Sequence, residues 1–328
     1  MNKKLSAIGI WHVLKKSGSN FGKDKLMKKS ASLAFYTIFS MGPLLIVIVF
    51  IASLFYGQEA VEGGIYNQVN SFVGKEAAVQ LQQILKNAAL SSSSTFAAIV
   101  GIGTLLVGAT TMFADMQDSI NQIWGLKPSP KAGWVKLIID RLLSFGVVAS
   151  LGFLLLVSLG ISALIASFNA HLKVRFPDIA IQLLNIINIL VSFGITTILF
   201  LIIFKVLPDA RIKWKSVLSG AIATAILFMI GKFGISFYLG QSNIGSTYGA
   251  AGSLVVLLMW VYYSSVILYF GAEFTKAFAV EFGNAIHPNS YAIFAKQVEV
   301  ETDESNVQSA EKEFEKIEKK NKKVTKGK

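Results

Sequence analysis

The chain contains no cysteine. That excludes disulfides, thiolate metal sites and cysteine nucleophiles. Charge is scarce as well. Asp, Glu, Lys and Arg make up 15% of the 328 residues, where a soluble domain carries about 25%. Histidine occurs three times, at His12, His171 and His287. The three are scattered, and no histidine–carboxylate cluster has metal-ligand spacing. No P-loop, GxSxG or GxGxxG motif sits in a polar segment, and no polar segment is long enough to fold into an ATP-binding domain. No enzyme chemistry, metal or cofactor is expected.

Apolar sequence is what the chain has in quantity: 53% of its residues are hydrophobic. They gather into six runs at about 31–56, 95–114, 142–168, 179–204, 217–239 and 250–272. The first of these, Ala31 to Tyr56, carries no charge over 26 residues. A bilayer core about 30 Å thick requires such runs, and a soluble core does not. Backbone in lipid must satisfy its own hydrogen bonds, so the runs are expected to be helices. A barrel would instead alternate apolar and polar residues over about ten residues at a time. The fold class is therefore all-α: a polytopic integral membrane protein with six transmembrane helices. No cleavable signal peptide is expected, because the lysine-rich start leads straight into a run of membrane-spanning length.

Lysine and arginine set the orientation. Residues 1–30 carry 8 of them, 114–141 carry 4, 205–215 carry 4, and the tail from Thr275 carries 10. The opposite loops hold Lys75, Lys86, Lys173 and Arg175 only. Positive charge stays in the cytoplasm, so both termini are expected inside, as an even number of spans requires. The net charge of +12 is thereby assigned to anionic lipid headgroups and not to nucleic acid. The expected location is the bacterial inner (plasma) membrane, with membrane lipids as partners.

Three regions flank or interrupt the spans. Residues 1–30 form a basic amphipathic segment in which Leu5, Ile8, Trp11 and His12 lie beside Lys15 and Lys16, as in an interfacial helix. Residues 57–94 form an outer segment, where Ala77, Leu81 and Leu85 recur at helical spacing among glutamines. Residues 275–328 form a charged tail, partly disordered by its composition. The membrane domain is 31–274. Residues 125–133, with Pro128 and Pro130, are expected to be a loop.

Seven residues are candidates for function. Pro43 is a candidate hinge, since proline within span one removes a backbone bond and kinks the helix; the alternative is a purely structural kink. Lys232 lies inside span five, where a charge marks a functional site by default; the alternative is a stem snorkelling outward. Asn185 and Asn188 share a face of span four with Gln182, as a wet path or as interhelical glue. Asp115, Arg141 and Glu273 close or open spans at the basic side. They are read either as an ion, proton or gate site or as interfacial pairing, with Arg141, Lys205 or Arg211 as partners. Ser216, Gly220 and Thr224 give span five a small packing face.

Several motifs resemble the YihY/BrkB family of bacterial inner-membrane proteins. They are Ala31-Ser-Leu-Ala-Phe-Tyr-Thr-Ile-Phe-Ser-Met-Gly-Pro43, Asn121-Gln-Ile-Trp-Gly125 and Leu207-Pro-Asp209. Further along come Tyr248-Gly-Ala-Ala-Gly-Ser-Leu254, Trp260-Val-Tyr-Tyr-Ser264 and Gly271-Ala-Glu-Phe-Thr275. The resemblance covers roughly residues 20 to 285 and implies six helices with cytoplasmic termini. That family has carried the label ribonuclease BN. The residues here speak against RNA cleavage, because they offer no metal cluster and their basic groups follow the membrane topology. It also carries a virulence label linked to serum resistance, which is a phenotype. The expected function is a permease or translocator of lipid or a small solute. The alternative is a non-transporting envelope scaffold.

Overall fold

The computed structural model describes residues 6–40, 111–129, 177–241, 252–282 and 285–295, with isolated positions elsewhere. The chain divides into two units, Met1–Phe294 and Ala295–Lys328. The elements below all belong to the first. Pro43, Arg141 and most of the outer segment 57–94 lie outside the described residues, as do the body of span three and much of spans one and two.

Helix α1 runs Ala7–Lys23. Ser6 caps it, accepting from the Gly9 amide at 3.1 Å. Lys23 in the last turn suits the negative end of the helix dipole. Gly9, Val13 and Ser17 recur at four-residue spacing and form its buried stripe. Ile8 and Trp11, on the other side, remain 73% and 66% exposed. The helix expected over residues 5–16 is therefore present, longer than its pattern suggested, and one face of it belongs to the protein core.

Lys25, at φ 52°, turns the chain into α2, residues 26–40. This helix starts before the apolar run does and buries Leu26 and Leu33. Ser30, Thr37 and Ser40 return their hydroxyls to carbonyls one turn back, which satisfies them without a partner helix. Helix α3, residues 111–123, ends at Trp124 and Gly125. Gly125 has φ 73°, a left-handed backbone that glycine adopts without a Cβ clash. Strand β1, Leu126–Pro128, follows.

Three long helices come next: α4 Pro177–Val206, α5 Trp214–Gln241 and α6 Gly252–Glu281. Pro177 opens α4, where its missing N–H costs nothing. Each contains a stretch long and apolar enough to cross a membrane, namely Ile186–Val206, Trp214–Ile235 and Leu254–Glu281. They match expected spans four, five and six. Helix α6 runs past the expected span end at residue 272, so Glu273 lies within the helix and not at its terminus.

Helix α5 packs against both α4 and α6. Its contact with α6 is reciprocal. A Cβ on Gly220 would stand 1.8 Å from Thr275 Oγ1, and one on Gly271 would stand 2.0 Å from Thr224 Oγ1. Glycine on each helix thus receives threonine from the other. Lipid supplies no hydrophobic drive between helices, so close backbone approach has to hold them. Thr224 and Ser216, two members of the expected small face, are fully buried.

An all-helical chain was expected, and two short antiparallel ladders modify that picture. β1 pairs with β4, Ala292–Phe294. β2, Ala210–Arg211 in the turn between α4 and α5, pairs with β3, His287–Pro288. The segment expected as a loop over 125–133 is a strand edge at Leu126–Pro128. Pro128 sits at the end of a two-stranded ladder, where its missing donor is tolerated. The ladders place 126–128, 210–211 and 287–294 together at one end of the bundle. Three of the four basic segments therefore converge, and α1 joins them through its contact with α6.

Candidate functional site

Glu273 is the only carboxylate in the 30-residue α6 before Glu281 at its last position, and it is completely buried. Asn20, in the last turn of α1, donates Nδ2 to its Oε1. Lys276, one turn further along α6, holds Nζ 3.8 Å from Oε2. Oε2 accepts no hydrogen bond. A buried carboxylate oxygen without a donor is costly and uncommon. Lys276 also donates to the Ile123 carbonyl at the end of α3. Next to it, Trp124 Nε1 donates to the Ala272 carbonyl at 3.0 Å. The end of α3 is therefore fastened to α6 on either side of Glu273.

One turn back from Glu273, Tyr269 is fully buried, and its hydroxyl faces Ser119 and the field of Asp115. Asp115 accepts from Ser32 Oγ at 3.1 Å through Oδ1, while Oδ2 is buried without a donor. Lys29 donates to Gln122 at 2.6 Å. Burial pushes the Asp115 carboxyl above its ordinary value, with the Ser32 hydrogen bond and the Lys29 charge pulling back. Burial also pulls the Lys29 ammonium down, against the charges of Asp115, Asp24 and Asp118. Asp115, Ser119, Tyr269 and Glu273 thus form a polar interior at the basic end, built from α1, α2, α3 and α6. Such groups can hold a proton or a cation, and two of the oxygens have spare acceptor capacity.

Asp209 is a second buried acid, fully engaged where Glu273 is not. It accepts from Asn121 Nδ2 at 3.0 Å, Asn289 Nδ2 at 3.2 Å and Gln117 Nε2 at 3.5 Å. Its own amide donates to Asn121 Oδ1 at 2.8 Å. Its carbonyl accepts from the Asn289 amide at 3.0 Å. It knots α3, the α4–α5 turn and the segment after α6 together. Sequence reasoning quoted Asp209 as a motif residue without giving it a role. The signal available was an Asp after Pro208 between two apolar runs.

The other candidates lie elsewhere. Asn188 is exposed on α4, and Asn185 is on the same helix with its side chain outside the described residues. Lys232 is partly buried on α5, near the level of Tyr263, whose ring meets Gly231. At 1.5 Å per residue, it lies about 15 Å along the bundle from Glu273. The two do not form one site. Lys205, one of the three basic residues read as possible partners for the acids, donates to the Ile212 carbonyl at 2.7 Å and stacks over Trp214 at 4.9 Å. It braces the α4–α5 turn. Among the described residues, no group of three or more His, Asp or Glu could hold a metal ion.

The family model described as virulence factor BrkB matches residues 17–290. A UPF0761 membrane protein of Saccharophagus degradans is 27% identical over 260 residues, covering 79% of this chain and 58% of its own length. One from Stenotrophomonas maltophilia is 27% identical over 272 residues, covering 82% of this chain and 60% of its own length. One from Pseudoalteromonas translucida is 27% identical, covering 79% and 83%. The chain thus spans about three fifths of the length of the first two relatives. No solved structure matches it. The matched region begins within α1 and ends beyond β3, so it takes in both Glu273 and Asp209, and the chain belongs to the virulence factor BrkB family of membrane proteins.

Proposed function

We propose that this chain is an inner-membrane translocator of lipid or a small solute, with Glu273 in its working site. One observation carries the reading: a carboxylate completely buried on a helix of span-forming character, with one oxygen left without a donor. Ionisable groups at such depth are costly, and they mark substrate or ion pathways. Asp115 and Tyr269 extend the polar interior beyond a single residue. No enzyme activity belongs to this reading.

Six spans with both termini in the cytoplasm complete the proposal. The convergence of the basic segments at one end of the bundle supports it, since they then face one side of the membrane. The test is transport by purified protein in sealed liposomes. Fluorescent phospholipids and labelled small anions are supplied with and without a proton or sodium gradient. Gradient-sensitive movement that Glu273→Gln abolishes, in a protein still folded, is the expected result. Equal movement by the variant would remove Glu273 from the path.

A second reading, an envelope scaffold, draws support from residues Ala295–Lys328, which form a unit of their own. Deleting 297–328 separates the two readings. Transport survives the deletion in the first, and partner assembly is lost in the second.

A further inference from the structure

A cavity of about 300 Å³ lies at the basic end and adjoins the polar interior described above, sharing Lys276 and Trp124 with its surroundings. Trp124, Lys276 and Val280 form one part of its lining, and Ala285, Ile286 and Phe294 form another. The first group comes from the end of α3 and the last turns of α6. The second comes from the chain after α6, held in place by the β1–β4 and β2–β3 ladders.

The chemistry of this lining is lopsided. Among the described residues Lys276 is its one charged group, and the side chain keeps 29% of its surface. Its ammonium has three donors. One goes to the Ile123 carbonyl, and the carboxylate of Glu273 is too distant to take another as a full hydrogen bond. Donor capacity therefore remains for an anion. The other described lining residues are apolar or aromatic, and Val280 and Phe294 stay 57% and 59% exposed. A small hydrophilic anion bound at Lys276 would leave this apolar surface in water. An anionic amphiphile would cover it.

Size and level agree with that occupant. A volume of about 300 Å³ suits a phosphate ester and the start of a chain but not two acyl chains. The cavity lies against the last turns of α6, where the span-forming stretch ends at Glu281. That is the depth of headgroups, and the surrounding segments are basic.

We propose that this cavity takes the phosphate headgroup of an anionic phospholipid from the leaflet at the basic end. The site is one for a resident lipid and stands independently of any transport.

The test uses the full chain purified in detergent, without a gradient, and native mass spectrometry of lipid adducts. Phosphatidylglycerol and phosphatidylcholine are titrated separately, with inorganic phosphate as competitor. Phosphatidylglycerol is expected to bind about tenfold more tightly than phosphatidylcholine, a difference of about 1.4 kcal/mol. Lys276→Gln removes the preference and Lys276→Arg keeps it. Ala285→Trp, at an exposed position off the helices, fills the cavity and lowers binding of both lipids. It also serves if Lys276→Gln does not fold. Phosphatidylglycerol binding unchanged in Ala285→Trp would overturn the proposal. So would millimolar phosphate displacing the lipid completely, because the site would then belong to a soluble anion.

Discussion

The α5–α6 seam and the rest of the basic end are held together by different means. In the seam, Gly271 and Thr275 of α6, on either side of Glu273, meet Thr224 and Gly220 of α5, backbone against side chain, with each hydroxyl returned to its own helix. Elsewhere at the basic end, the contacts are hydrogen bonds between distant segments: Asn121 and Asn289 to Asp209, Asn20 to Glu273, and two strand ladders. Each solution follows from its surroundings. Between lipid-facing helices only close packing and internal bonds are available. Where the backbone leaves the helices, its polar groups need partners, and asparagine and aspartate supply them. The seam should therefore be intolerant of volume, and the rest of the basic end intolerant of lost polarity.

The largest effect is expected from Gly220→Val or Gly271→Val. Either forces a branched side chain into a threonine held at van der Waals range or closer. The loss should be about 3 kcal/mol or more, seen as disappearance of the monodisperse species in detergent. Retention of a native thermal transition would show that α5 and α6 have another way to pack.

Asp209→Ala comes next, at about 3 kcal/mol, because it strands several buried amides at once. Thermal unfolding should show it, and Asp209→Asn should recover only part of the loss. Equal stability of the alanine variant would mean that water replaces the carboxylate.

Asn20→Ala should cost about 2 kcal/mol, concentrated on α1. Hydrogen exchange would report it as faster exchange over Ala7–Lys23 with the α5 and α6 amides unchanged. Uniform acceleration across the bundle would mean that the clasp and the seam are one cooperative unit.

The smallest effect tests the sign of a buried charge. Burial raises the Asp115 carboxyl above its ordinary 3.8. The folded state therefore holds that proton more tightly than the unfolded chain. The charged form costs stability above the raised value, and the cost fades as pH falls towards 3.8. Asp115→Asn is expected to raise the midpoint by about 1–2 °C at pH 8 and to change little at pH 4. A destabilised variant at pH 8 would show that the bond from Ser32 and the charge of Lys29 outweigh burial.

What could be read from the sequence was what repeats or persists. Spans four to six were visible because continuous apolar runs need no partner to announce them. Ser216, Gly220 and Thr224 were visible because small residues at four-residue spacing share a helix face. Glu273 stood out as a charge at the edge of an apolar run. Its partner did not, because Asn20 lies 253 residues away, in a stretch of Gly, Ser and Asn with no periodic signal. Charge alone makes Lys205 one of three possible partners for the acids, but the α4–α5 turn is nearer and offers a carbonyl and an indole ring. Strands of two and three residues are too short to alternate, so nothing in 126–128 or 292–294 marked them. Asp209 illustrates the general limit: its role depends on three amides from two other parts of the chain.

The clasp between Asn20 and Glu273 also bears on biosynthesis. At bacterial elongation rates, about 5–20 residues per second, α1 leaves the ribosome on the order of tens of seconds before α6. Throughout that interval its eventual partner does not exist. The apolar face of Ile8 and Trp11, unused in the finished bundle, gives α1 somewhere to wait at the membrane surface, and the bundle closes only when the last span arrives.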